Sequence, residues 1–262
     1  MVLPLDTTFI RANRGTAPRQ IEGLVGAVER ERGRIAYFSA PASDPESCVR
    51  LGKNTLKVVG FSASTALVAL TDGARNVQCL ARQMGAPAKP VTDWFHQSMR
   101  IQHVEAVAQA FPEPNRSLAA SRRSILRKIE RMHHRLWPTF GTDGRANALS
   151  KAERALKGEL KTYRGDPKPE SWKARAKTLR QSLKKLRYYV ESAQTNLVNY
   201  AARHRAGERV GTSLVESGAE FIVNARMARS QHMRWSEHGA FNLLQVRTAD
   251  INRTLKATIM AA

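Results

Sequence analysis

Ala66-Leu-Val-Ala-Leu-Thr-Asp72-Gly73-Ala74 is the stretch on which the reading of this chain turns. An apolar run ends abruptly in a carboxylate and a glycine. That is the pattern of a buried strand delivering Asp72 to its carboxyl end, with Gly73 turning the chain into a helix. A buried strand has no packing use for a terminal Asp. The acid is either a helix N-cap or a metal ligand.

Toward the N terminus, Val2–Ile10 is short, apolar and β-branched, with Asp6 in its middle, and reads as a strand. Two more strand-like runs follow, Gln20–Val28 and Arg34–Ser39, with Glu31–Gly33 as the turn between them. Three consecutive short strands predict an antiparallel meander. Asp44-Pro45-Glu46 starts a helix, Asp44 as cap and Pro45 at the first helical position, running to about Val59 before Gly60. Beyond Asp72 a helix is expected from about Ala74 to Met84, closed by Gly85. Pro90-Val91-Thr92-Asp93 is a fifth, short strand-like stretch. The order β-β-β-α-β-α-β suits a mixed five-stranded sheet flanked by helices.

After Asp93 basic helices dominate to about Val210, with no clear strand signal. Pro112–Asn115 breaks one helix from the next, and Ser117–Leu136 is a basic helix ended before Pro138. Gly141–Gly144 reads as a turn, Ser150 as the cap of a helix from Lys151 to about Tyr163, and Gly165–Pro169 as a second turn. Ser171–Arg203 reads as one long helix, in which Leu179, Leu183, Leu186 and Val190 form one apolar stripe. Gly211-Thr212-Ser213 opens a helix through Asn224. Its Glu216 and Glu220, four apart, share a face. Ser236 can cap a last helix carrying Phe241, Leu243, Leu244 and Val246. His133 and His134 read as surface residues.

The chain has 262 residues, enough for one large domain or two ordinary ones, and 42% of them are hydrophobic. Its 43 Lys and Arg against 22 Asp and Glu leave a net charge of +21. Such an excess costs self-repulsion and is expected where the partner is a polyanion, nucleic acid first and an anionic membrane surface second. The membrane reading is the weaker, because the basic helices lack the exposed Trp, Phe and Leu face that interfacial binding needs. No apolar run approaches the roughly 18 residues of a spanning helix. Cys48 and Cys79 have no metal spacing and read as small buried hydrophobes in a reducing compartment.

A strand acid at Asp6, a strand-end acid at Asp72 and a helical acid at Glu216 are a candidate trio for two-metal phosphodiester cleavage. Hard divalent cations want oxygen ligands, and Mg²⁺ keeps several waters, so a few carboxylates suffice. Glu220 competes with Glu216 for the third place, and spacing does not choose between them.

Asp6-Thr-Thr-Phe-Ile-Arg, Leu70-Thr-Asp72-Gly-Ala, Asp93-Trp-Phe-His96, Leu214-Val-Glu216-Ser and Met233-Arg-Trp-Ser236 occur in an order that resembles bacterial insertion-sequence transposases of the DDE type, the ISKra group. The most specific part runs from Arg226-Met through Met233-Arg-Trp-Ser to Leu243-Leu-Gln-Val-Arg247-Thr, and the resemblance covers nearly the whole chain. It implies an α/β, ribonuclease-H-like core (1–96 and 210–262) interrupted by a large all-helical insertion (97–209). It also implies that Asp6, Asp72 and Glu216 are the catalytic, metal-binding acids for two Mg²⁺ or Mn²⁺ ions. The partners implied are double-stranded DNA, as transposon ends and target, and further copies of the chain on DNA, beside the nucleoid of a bacterial cytoplasm. The Asp93-x-x-His96 stretch is similar to an acid-x-x-His motif of Mutator-like transposases and reads either as an auxiliary pair or as a cap with a packed His. Arg234 and Trp235 read either as a phosphate clamp and stacking ring or as a surface Arg beside a packed Trp. Arg122, Arg123, Lys128, Lys177, Arg180, Lys184 and Lys185 are the candidate contacts to DNA backbone. Asp6 lies almost at the start, whereas transposases of this kind usually carry a DNA-binding region before the core. The expectation is therefore a shortened copy or one piece of a split element. An inactive remnant that binds nucleic acid through charge alone is the alternative.

Overall fold

The computed structural model describes residues 1–13, 18–30, 33–87, 90–138, 141–161, 168–193, 196–227 and 233–260. The turns expected at Glu31–Gly33 and Gly165–Pro169, and the helix end expected near Tyr163, fall wholly or partly outside these residues. The chain divides into two compact units, Met1–Asp93 with Gly211–Ala262, and Trp94–Val210.

The first unit is an α/β structure on a mixed five-stranded sheet: β1 (Val2–Arg11), β2 (Gln20–Arg30), β3 (Arg34–Pro41), β4 (Val68–Thr71) and β5 (Val91–Thr92), in the order β3-β2-β1-β4-β5. The first three strands pair antiparallel; β4 runs parallel to β1 and β5 parallel to β4. Strands buried on both faces need apolar residues of both parities, and β2 has them. Leu24 and Val28 face one core, Val25 and Ala27 the other. The first core lies under α1 (Pro45–Val58) and α2 (Arg75–Gln83) and includes Leu3, Leu5, Phe38, Cys48, Leu56, Val77 and Leu80. Asp44 caps α1 by accepting from the Ser47 N–H at 3.0 Å. Its hydrogen bonds from Ser47 hold its carboxyl below the ordinary range.

The second core is closed by the chain's return after the helical unit. α8 (Ser213–Ala219) runs into one π-helical stretch (Glu220–Asn224), then the single turn α9 (Ala225–Met227), and later α10 (Glu237–Ile251) and α11 (Leu255–Met260). The helix expected through Asn224 therefore changes its winding at Glu220, a rare feature in which one extra residue is fitted into a turn. Ser236 caps α10 by accepting from Gly239 N–H. α10 also guards the edge strand β3. Gln245 donates to the Ser39 carbonyl at 2.8 Å, and just past the helix Asn252 both accepts from Tyr37 N–H and donates to its carbonyl, each at 2.8 Å. An edge strand with its backbone groups so occupied is a poor template for another chain.

The second unit is helical: α3 (Trp94–Gln109), α4 (Arg116–Leu136), α5 (Gly141–Leu160), α6 (Glu170–Ser192) and α7 (Tyr200–Arg205) around one core that includes Ile101, Ile125, Leu156, Trp172 and Leu183. Leu179, Leu183, Leu186 and Val190 are all buried in α6. Five readings are corrected. Gly141–Gly144 is helical rather than a turn, and Ser150 lies inside α5 instead of capping it. Buried Ala148, Leu149, Ala152 and Leu156 continue one face straight through that serine. The long helix expected over Ser171–Arg203 is broken: α6 ends at Ser192, and Asn199 starts α7 afresh by accepting from Ala202 N–H at 2.9 Å. Cys48 is buried, but Cys79 is exposed, because the apolar side of α2 is Val77, Leu80 and Ala81. His133 is half-buried against Trp94, rings 5.8 Å apart, and burial pushes its imidazole below its ordinary range; only His134 is a surface residue. Among the described residues no helix is long and apolar enough to cross a membrane.

Candidate active site

Three parallel strands bring acids to one level. In the β1–β4 pairing Pro4 lies opposite Leu70; the same offset, carried two residues on, sets Asp6 level with Asp72. In the β4–β5 pairing Thr71 lies opposite Thr92, so the next residues, Asp72 and Asp93, are level as well. Asp93 N–H donates to the Thr71 carbonyl at 2.9 Å, which carries the ladder to that point. By strand register, then, Asp6 within β1 and Asp72 and Asp93, the residues just after β4 and β5, fall at one level of the sheet. The pleat puts Asp6 on the face of Ile10, and it pairs with Val25; both belong to the core closed by α8.

Local bonds brace two of these acids. Asp6 Oδ1 accepts from Thr7 N–H and Asp72 Oδ1 from Ala74 N–H, each at 2.8 Å. Asp72 does not cap α2, since the N-cap position is Ala74 and carries no side-chain cap bond. The carboxylate instead tightens the turn at Gly73, whose φ of 97° is a conformation that suits glycine. Both carboxylates are half-buried, Asp6 in the middle of β1 and Asp72 just past the end of β4.

Glu216 comes to the same unit from α8. Thr212, wholly buried just before that helix, hydrogen-bonds Asp93 Oδ2 through its hydroxyl, which also lies 3.0 Å from Glu216 Oε1. The threonine occupies the N-cap position of α8 without making a capping bond; its hydroxyl serves the acids. Asp93, itself fully buried, and Glu216 bring carboxylate oxygens within 4.8 Å of one another. One hydroxyl has one proton to give. Two carboxylates this close favour hydrogen donors or a cation beside them.

Among the described residues, Asp6, Asp72 and Glu216 do not gather as a set within 4.8 Å, whereas Asp93 and Glu216 do meet. Glu220, the competing third acid, is exposed and accepts from Asn224 Nδ2 at 3.0 Å, so the structure turns it away from Thr212 and Asp93. His96 is half-buried in the first turn of α3, one helical turn along the chain from Asp93. Thr212 was invisible to sequence reading. A threonine at a helix start is ordinary, and nothing local links it to an acid 119 residues away.

The candidate DNA contacts divide in two. Arg122 pairs with Glu113, Lys128 with Glu159 at 2.7 Å, and Arg180 donates to the Leu160 carbonyl at 3.0 Å. Burial raises the Glu159 carboxyl, but bonds from Lys128 and Ser124 outweigh it and hold the group low. Arg123, Lys177, Lys184 and Lys185 are exposed. Trp235 is half-buried and joins the end of β1, its N–H donating to the Arg11 carbonyl and its carbonyl accepting from Asn13 N–H, each at 3.0 Å. Arg234 is exposed and donates to the Ala12 carbonyl at 3.3 Å. No protein-family model matches the chain, and no curated protein matches it.

Proposed function

We propose that this chain is the catalytic core of a DDE-type insertion-sequence transposase, with a ribonuclease-H-like fold, that cuts DNA strands and joins the freed 3′ end to target DNA. The observation that carries the reading is the shared level of Asp6, Asp72 and Asp93 across adjacent parallel strands, with Glu216 tied to Asp93 through Thr212. The donor set fits a hard cation: it is all oxygen. Asp6, Asp72 and Glu216 are the residues that would hold Mg²⁺ or Mn²⁺. Such ions, when bound, activate the attacking water or hydroxyl and stabilise the leaving oxygen. The chain's own residues orient the ligands. Ala74 N–H engages one oxygen of Asp72, and Thr212 fixes the rotamer of Glu216. Asp93 positions Glu216 through that threonine. Exposed Arg123, Lys177, Lys184 and Lys185 bind DNA backbone without choosing sequence. His96 and Arg234 are auxiliary contacts in this reading.

The test is nicking of supercoiled plasmid in Mg²⁺ or Mn²⁺. Asp72→Ala keeps the fold and DNA binding and loses cleavage; equal cleavage by variant and wild type overturns the assignment.

A further inference from the structure

We propose that the helical unit carries a binding site for unpaired DNA on α6, with Tyr188 as the ring on which a base stacks. This proposal does not rest on the acids of the sheet.

Tyr188 is 73% exposed, the most open aromatic ring among the large exposed side chains of the chain's described residues. It stands in an open depression of about 740 Å³ shared with Arg100, Gln181, Lys184, Lys185 and Tyr189. The lining has three cations and no acid. The neighbouring Tyr189 is already covered: the Arg100 guanidinium sits 4.2 Å from its ring centre. That contact holds Arg100 at the edge of the depression and leaves Tyr188 as the ring open to a ligand. Lys184 also lines a second cleft, between α5 and α6, with Arg154, Lys157 and Arg187, the last of these paired there with Glu153. A strand crossing α6 at Lys184 therefore meets cations on both sides of the helix.

The chemistry distinguishes unpaired from paired DNA. A polyanion satisfies the lysines in either form. Duplex DNA offers a tyrosine only sugar and phosphate, so the ring contributes at most through its hydroxyl. An unpaired base offers a π-face, and base–aromatic stacking with flanking cations is how single strands are held without sequence preference. An open ring between lysines suits the second.

The test measures binding of the full chain, in EDTA, to a labelled oligothymidylate of about 16 nucleotides and to a blunt duplex. Tyr188→Ala weakens the single strand about tenfold and leaves the duplex within twofold. Tyr188→Phe binds both as wild type does, because stacking needs the ring and not the hydroxyl. Lys184→Ala with Lys185→Ala weakens both DNAs and lowers the salt slope. The proposal is overturned if Tyr188→Ala binds the single strand like wild type, if it weakens both DNAs equally, or if Tyr188→Phe loses as much as Tyr188→Ala. Without divalent ions no cleavage contributes, so failure of the catalytic reading leaves these outcomes unchanged.

Discussion

Replacing Thr212 by Val is expected to destabilise the protein. Thr212 is fully buried, and its hydroxyl hydrogen-bonds Asp93 Oδ2 and lies 3.0 Å from Glu216 Oε1. Valine keeps the shape and removes the hydroxyl, so the fully buried Asp93 carboxylate loses a donor. A hydrogen bond to a charged group contributes about 1.5–3 kcal/mol. Glu216 is half-buried, so water replaces part of what it loses, and a net cost of about 2 kcal/mol is expected. For a chain of this size the melting temperature should fall by about 4–8 °C. Thr212→Ser keeps the hydroxyl and should lose less. The reasoning fails if Thr212→Val melts at or above wild type. It fails equally if Thr212→Ser falls as far as Thr212→Val.

Two further outcomes test the packing. Gly218→Ala in α8 should destabilise by about 1 kcal/mol in chemical denaturation: a helical Ala gains about 1 kcal/mol over Gly, but its Cβ would lie 2.7 Å from Tyr37 Cε1 and 2.9 Å from Cδ1, a clash costing about 1–3 kcal/mol. A stabilised variant would show that α8 does not lie that close to β3. A thiol reagent should modify exposed Cys79 in the native protein and reach Cys48 only on unfolding, since burial pushes the Cys48 thiol up to about 12. Native modification of both cysteines would refute that burial.

Elements and their order were legible because their signals are local. The run ending at Asp72 and Gly73 marked β4 by its apolar length and its stop. Asp44-Pro45 marked the start of α1, and the spacing of Leu179, Leu183, Leu186 and Val190 marked the buried side of α6. The same local rules misled where glycines and a serine resembled punctuation at Gly141–Ser150. There the side chains of α5 carry the helix through, against the local preference. They misled again at Ser171–Arg203, where no proline or glycine announces the break after Ser192.

What the residues alone determined is that one carboxylate stands within a strand and another at a strand end, and that a strongly basic helical stretch separates them from Glu216. Which acids meet was decided in three dimensions. The β1–β4 and β4–β5 registers level Asp6, Asp72 and Asp93, and the Thr212 hydroxyl selects Glu216 over Glu220 and joins it to Asp93. Periodicity and caps depend on neighbours a few residues apart and can be read in one dimension. Strand register and a hydrogen bond spanning 119 residues depend on how distant surfaces pack, and no local pattern encodes them.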